Sequence, residues 1–350
     1  MISLEEKLLV NILYRQENEV LKGIDPDNIN FEKLITLASG HLMLPALFFN
    51  IQKKKVTYLF PEDFIEYIKN IFEINKARNK ILLSEAEELS ELLYKNNIKH
   101  IFLKGTALLL SNVFEDIGER MVTDIDFIIQ HKDEEKVIKL FNKHNYFGKS
   151  PKLYQTLFKI FKPIHLPRRV NEKKIIAIEP HLELLSPKYR FVFNSKKLIN
   201  AFKEKTKTIK TPNKSFLFDH CIYALQIDDK GFIKSYHFHR SIYDIYKLDC
   251  KNSLVVKNIK KDIFIKHFFQ TIDKFKIFDI HIKTTLLSSY FDKLFRFLVI
   301  LDSRFFSFKI PNKIIQLFFY KEIRKRDLKK ISTHYNNKTL INFIYTWLKA

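Results

Sequence analysis

The sequence predicts an α+β fold in which a small sheet-bearing core lies between two helical regions. Apolar residues recur at helical spacing along residues 1–96. Short apolar runs then alternate with helical segments along residues 97–186, which is typical of a unit that packs helices against a sheet. The helical spacing returns over residues 187–350. We therefore divide the chain into an N-terminal helical region, a core and a basic C-terminal helical region.

Glycine and proline set the limits of the helices predicted in the N-terminal region. Gly23 and Pro26 end the first helical pattern, and Pro61 suits the first turn of the last one. That last pattern continues to about Tyr94. The predicted helices lie within residues 1–22, 31–38, 42–52 and 61–94.

The core is predicted to alternate strands with helices. The first strand, His100–Leu103, precedes a helix that begins at Thr106 and ends near Phe114. The second strand, Thr123–Gln130, precedes a helix over Glu134–His144. Two further strands are predicted at 157–166 and 174–184, and later helices at 216–225, 236–248, 263–278, 285–300 and 314–323.

The chain carries a formal net charge of +22, and the excess is concentrated near the C-terminus. Residues 251–350 contain 21 Lys and Arg against 7 Asp and Glu, a net +14, and the densest basic run is Lys321–Lys330. Such an excess favours binding to nucleic acid or to another anionic surface. A solvated basic face, enlarged by a general bias toward lysine codons, explains the same charge and stays open.

Cysteine usage and hydropathy predict a cytoplasmic protein without a transmembrane segment. Cys221 and Cys250 form neither a CxxC pair nor a disulfide framework, which fits a reducing compartment. The acidic, amphipathic N-terminus is not typical of a signal peptide, and no run of about 18 uncharged apolar residues occurs. His237 and His239 lack zinc-ligand spacing with either cysteine, so the sequence predicts no zinc site there.

Asp124 and Asp126 stand two residues apart inside an apolar run, so a strand would direct both carboxylates to one face. Two close carboxylates raise each other's pKa unless a cation lies between them. Magnesium, a hard ion that prefers oxygen ligands, is the usual cation. An acidic strand edge in solvent explains an isolated Asp-x-Asp equally simply.

A Lys-Gly turn lies at the preceding strand-to-helix junction. Gly105 would allow close backbone approach, and the helix start with the Thr106 hydroxyl would present donors to an anion. Lys104 and Arg120 are candidate cations for phosphate. Taken singly, an ordinary turn and an exposed loop charge account for these residues.

A third acid is predicted on a later strand, where the sequence reads IIAIEPHLEL from Ile175. Glu179, His181 and Glu183 share one face of that strand. Glu179 would complete a carboxylate triad with His181 beside it. A packed strand histidine and a polar edge strand, which Pro180 favours, are the alternatives.

These motifs resemble one known family. Three elements are similar to motifs of the uncharacterised nucleotidyltransferase family of the DNA polymerase beta-like superfamily. They are Leu-Lys-Gly-x-Ala-Leu from Leu103, Arg120 four residues before Asp124, and the acid–x–His element at Glu179. The resemblance covers about residues 100–185, and His165-Leu-Pro also resembles a segment of such proteins.

The resemblance implies a mixed-sheet core that transfers NMP from an NTP, ATP among them, to an acceptor. Asp124, Asp126 and Glu179 would hold two Mg²⁺ ions, with Glu179 as third ligand or as base. Lys104, Gly105, Thr106, Arg120 and His181 would bind the nucleotide, and His181 would orient Glu179 or accept a proton.

Three functions are weighed for this chain. The basic C-terminal excess favours RNA as the acceptor of a nucleotidyltransferase, although a protein or small-molecule hydroxyl also fits. A catalytically inactive nucleic-acid-binding protein that retains the fold is the alternative, and a peripheral-membrane or scaffold protein using the Phe- and Lys-rich C-terminal helices is the third. The sequence contains no GxxxxGK[ST], GxGxxG or GxSxG motif.

Overall fold

A computed structural model describes residues 2–148, 164–186, 208–234, 237–248 and 263–278, together with scattered positions between 189 and 204. All of these belong to one compact unit, residues 1–282. Within them the chain combines many helices with a three-stranded mixed sheet, which confirms the predicted α+β class. The helices predicted at 285–300 and 314–323, the strand residues 157–163 and the basic run Lys321–Lys330 lie outside the described residues.

The N-terminal region forms four helices close to the predicted ones. They are α1 Leu4–Tyr14, α2 Phe31–Gly40, α3 Leu44–Lys53 and α4 Glu62–Lys95. Ser3 and Asn30 cap α1 and α2 with side-chain oxygens, and Pro61 precedes the first residue of α4. No single described helix is long and apolar enough to cross a membrane; α2 and α3 meet the criterion only as a pair bent by 117°.

The core sheet contains β1 His100–Phe102, β2 Asp124–Ile129 and β3 Ala177–His181, in the order β1-β2-β3. β2 runs antiparallel to β1 and parallel to β3. The connections carry α5 Lys104–Leu110 and α6 Glu134–Lys143. Helix α5 therefore begins at Lys104, two residues before the predicted start.

One face of the sheet supplies the core. Ile125, Phe127 and Ile178 are buried there, and the Phe127 ring meets Phe102 and Phe141 edge-on, with ring centroids 6.5 and 6.2 Å apart. Burying these side chains stabilises the sheet by about 1.5–3 kcal/mol each. Because side chains alternate along a strand, the polar residues of β2 and β3 lie on the opposite face.

Side-chain amides of α4 hold the segment that leads into β2. Asn75 donates to the carbonyl of Gly118 at 2.7 Å, and Asn79 donates to that of Arg120 at 2.7 Å. Both asparagines are buried, and Gly118 lies so close to Phe72 that a Cβ there would approach its ring to 2.7 Å. Helix α4 thus determines where the chain enters the strand that carries the aspartates.

The described residues after 186 form helices and one strand pair that the sequence did not predict. The helices are α7 Lys214–Tyr223, which continues as a π-helical turn to Asp228, α8 Gly231–Lys234, α9 His239–Leu248 and α10 Ile263–Ile272. A short antiparallel pair joins β4 Phe202–Glu204 to β5 Lys210–Pro212. These three-residue strands are too short to show an alternating pattern.

Buried His220 in α7 predicts a pH dependence of stability. Burial lowers the pKa of His220 to about 3, and the positive charges of Lys104 and His181 add to the effect. The unfolded chain therefore binds a proton that the folded chain excludes, so stability falls as pH drops below about 6.5. Between pH 6.5 and 5 we expect wild type to lose about 2 kcal/mol more than His220→Gln. Urea unfolding at both values checks this; equal losses would contradict it.

Candidate active site

The polar face of the sheet brings three acids together. In the parallel pairing of β2 with β3, Asp126 lies directly opposite Glu179, and Asp124 lies one step away on the same face. His181 follows Glu179 on that face of β3. The sheet register therefore places Asp124, Asp126, Glu179 and His181 in one group. Asp126 and His181 are 55 residues apart in the sequence.

Asp126 is the buried centre of this group. Its Oδ1 atom lies 2.9 Å from Lys104 Nζ and 2.8 Å from His181 Nε2. Burial raises the pKa of Asp126, but the charge of Lys104 and the hydrogen bond with His181 outweigh burial, so the pKa falls well below its usual range. Asp126 is therefore an ionised carboxylate at neutral pH.

Glu179 lies between two histidines and the same lysine. Its carboxylate oxygens are 3.3 Å from His181 Nε2, 3.3 Å from His165 Nδ1 and 3.7 Å from Lys104 Nζ. Burial raises the pKa of Glu179. The hydrogen bond with His181 and the charges of His165 and Lys104 together outweigh burial, so the pKa is lowered. Glu179 is thus also held in the ionised form.

Asp124 lies at the open end of the group and is less well neutralised. Its Oδ1 accepts a hydrogen bond from Thr123 Oγ1 at 3.0 Å, and Arg168 Nε lies 3.8 Å from its Oδ2. Burial and the charge of Asp126 raise the pKa of Asp124. A cation bound beside Asp124 would therefore lower the electrostatic free energy of the group more than a cation bound elsewhere in it.

His181 and Lys104 supply the opposite charge inside the group. Burial lowers the pKa of both side chains, but interactions with Asp126 and Glu179 outweigh it, so both pKa values are raised. Lys104 reaches its position from an unusual backbone, since its φ of 48° is in the left-handed region. Its side chain remains 40% exposed, while the ammonium itself contacts Asp126 and Glu179.

Gly105 and Thr106 lie in the first turn of α5, and both are buried. A Cβ at Gly105 would approach the Val122 side chain to 2.9 Å, so glycine permits α5 to pack on the segment before β2. Thr106 Oγ1 donates to the carbonyl of Asp124 at 3.1 Å. These contacts position β2; phosphate binding by the two residues stays a prediction.

The structure does not bring Arg120 to the acids. Its guanidinium is buried and donates to both carboxylate oxygens of Asp244 in α9, at 2.7 and 2.9 Å. Through this bidentate pair, Arg120 connects the core with α9. Its predicted role as a phosphate cation is not supported by this arrangement and stays a prediction.

Arg168 lies at the site, although the sequence did not predict it there. It follows Pro167 in a segment whose next residue, Arg169, forms an isolated antiparallel bridge with Ile178 of β3. The bridge places the half-exposed Arg168 guanidinium beside Asp124. The available signal was a pair of arginines next to His165-Leu-Pro, the segment that carried part of the resemblance.

The donor set fits a divalent cation. Ligand atoms of Asp126, Glu179 and His181 lie within 4.8 Å of one another. Carboxylate oxygens are the ligands that Mg²⁺ prefers, whereas an imidazole nitrogen suits a softer metal. Asp126 and Glu179, with Asp124 at the open end, therefore suit magnesium, and His181 is better suited to orient them.

Comparison with known proteins identifies the family. The family model described as uncharacterised nucleotidyltransferase matches residues 27–248, well over half of the chain. The match includes every acid of the site and both members of the Arg120–Asp244 pair. No curated protein and no solved structure matches the chain. The chain therefore belongs to this family of uncharacterised nucleotidyltransferases.

Proposed function

We propose that the protein is a Mg²⁺-dependent nucleotidyltransferase that transfers NMP from an NTP to an acceptor hydroxyl. The observation that carries the proposal is the β2–β3 register, which aligns Asp126 with Glu179 and keeps Asp124 on the same face. Three carboxylates that share one partly open site give oxygen ligands for two Mg²⁺ ions. Family membership independently indicates nucleotidyl transfer in general.

The side chains of the site divide into ligands and supports. Asp124, Asp126 and Glu179 would hold the metal, which when bound neutralises charge on the attacking and leaving oxygens. His181 holds Asp126 and Glu179 in the ionised, ligand-competent form through its contacts at 2.8 and 3.3 Å. The ammonium of Lys104 would supply a positive charge to a bound triphosphate.

The acceptor is proposed to be RNA. The net charge of +22 favours binding of a polyanion, and the half-exposed Arg168 extends positive charge to the rim of the site beside Asp124. A protein or small-molecule hydroxyl would not require so basic a chain. RNA is therefore the acceptor to test first.

A labelled-nucleotide assay tests the proposal. Full-length protein is incubated with each α-³²P-labelled NTP, with cellular RNA, protein and metabolites as acceptors, and with either Mg²⁺ or EDTA. We expect label in RNA that depends on Mg²⁺ and is absent with Asp126→Asn, while Asp63→Asn, at an exposed aspartate of α4, transfers normally. The absence of transfer to RNA, protein or metabolites, or transfer that survives Asp126→Asn, would overturn it.

A non-catalytic nucleic-acid-binding protein is the second candidate, and one contact favours it. Lys104 Nζ already lies 2.9 Å from Asp126 and 3.7 Å from Glu179, which is where a metal would neutralise charge. A permanent lysine there would replace the metal. RNA binding that weakens steeply with salt, without Mg²⁺-dependent binding of NTP, identifies this function.

A further inference from the structure

A second cluster of ligand-type side chains lies apart from the carboxylate site. His41, His237 and His239 each offer an imidazole nitrogen, and these atoms lie within 4.8 Å of one another. Glu6 adds a carboxylate, with Oε1 at 2.8 Å from His237 Nε2 and 3.1 Å from His239 Nε2. Three imidazoles therefore lie together, with a carboxylate beside two of them.

The spacing of the donors is close to that around a bound metal. Zinc bonds of 2.0–2.2 Å at tetrahedral angles separate neighbouring ligand atoms by about 3.3 Å. The three histidine ligand atoms lie within 4.8 Å of one another, so the rings need to approach more closely to reach this separation. The backbone N–H of His239 donates a long hydrogen bond, 3.3 Å, to His41 Nδ1, which holds the His41 ring beside the other two.

One atom of the cluster lacks a hydrogen-bonding partner. His239 is completely buried, and among the described residues its Nδ1 makes no hydrogen bond. Buried polar atoms are nearly always satisfied, so such an atom needs an explanation. A metal bound at Nδ1 provides one, with the Nε2–H of the same ring donating to Glu6.

The donor chemistry selects the metal. Three imidazoles suit zinc and other late first-row divalent ions, whereas Mg²⁺ prefers oxygen ligands throughout. We propose that His41, His237 and His239 bind one zinc ion, and that Glu6 is the carboxylate that orients His237 and His239.

This site would connect parts of the chain that are far apart in sequence. Glu6 lies in α1, His41 directly follows α2, and His239 is the first residue of α9. Closing so long a loop costs conformational entropy, and a metal bound only by the folded chain stabilises that state. Zinc would therefore fasten the N-terminal helices to the start of α9.

Metal titration of the untagged, full-length protein tests the proposal. EDTA-stripped protein is titrated with ZnSO₄ in millimolar Mg²⁺, in an Asp126→Asn background that removes one ligand of the other candidate cluster. We expect one tightly held zinc per chain and a rise in Tm of at least about 3 °C. His41→Gln, at the half-buried ligand, should weaken zinc binding at least about 10-fold. His144→Gln, at an exposed histidine outside both clusters, is the matched control and should retain it.

A cobalt spectrum gives a second readout that needs no substitution in the histidine cluster. Co²⁺ bound by the three imidazoles in the stripped Asp126→Asn protein should show the intense visible absorption of tetrahedral coordination, which added zinc abolishes. Zinc uptake that is equal in His41→Gln and His144→Gln would overturn the site. So would the absence of bound zinc, or a weak six-coordinate cobalt spectrum. None of these measurements depends on nucleotide transfer.

Discussion

Glu179→Gln is expected to reduce nucleotide transfer about 100- to 1,000-fold, whereas Glu183→Gln retains activity within about threefold. Both changes remove one negative charge, from within β3 at Glu179 and from two residues beyond its end at Glu183. Only Glu179 lies opposite Asp126 and contacts His181, at 3.3 Å. Glu183 instead pairs with His131 at 3.0 Å and Ser195 at 3.2 Å. The location of the carboxylate, rather than the total charge of the region, therefore determines the effect.

The measurement is the initial rate of label transfer for the two variants at equal protein concentration. Circular dichroism and Tm establish that both variants fold. If Glu183→Gln lost as much activity as Glu179→Gln, the total negative charge of the region would determine activity, and the proposed ligand role of Glu179 would be wrong. If neither variant lost activity, the catalytic site would lie elsewhere in the chain.

Asp244→Asn is expected to lower the free energy of unfolding by about 3–5 kcal/mol. Asp244 and Arg120 are both buried, and their two hydrogen bonds of 2.7 and 2.9 Å are charge-assisted. The substitution leaves the guanidinium of Arg120 buried without a negative partner, which is the costly half of a broken ion pair. Urea unfolding monitored by circular dichroism measures the loss.

Two comparisons isolate the cause of this loss. Asp273→Asn removes the same charge from an exposed pair, in which Asp273 lies 2.7 Å from Lys276, and should cost no more than about 1 kcal/mol. The double change Arg120→Met with Asp244→Asn should cost less than the sum of the single changes, because no buried charge is left alone. Additive losses, or an equal loss in Asp273→Asn, would contradict the interpretation.

The alternation of side chains along a strand was sufficient to predict the shared face of Asp124 and Asp126, and that of Glu179 and His181. It was not sufficient to predict the parallel register that joins the two pairs, since register depends on tertiary packing. Family resemblance supplied that link. Lys104 was predicted as a cation for phosphate; in the structure it lies 2.9 Å from Asp126, and its role toward phosphate stays a prediction.

Long-range pairing accounts for what the sequence did not reveal. Arg120 precedes Asp124 by four residues, so proximity in the chain suggested a role in the site. In the structure it pairs with Asp244, 124 residues away, and no local pattern indicates that partner. His237 and His239 were compared with nearby cysteines, whereas Glu6 lies 231 residues before His237. Such contacts follow from packing between helices and not from motif spacing.

The asparagines of α4 have a practical consequence for recombinant work. Expression of residues 97–186 alone would remove Asn75 and Asn79, which donate to the carbonyls of Gly118 and Arg120. The segment leading into β2 would then lose the partners that set its path, and Asp124 and Asp126 would lose their alignment. Truncation libraries and crystallisation trials should therefore keep α4 and α9 together with the sheet, because the smallest stable fragment is larger than its motifs.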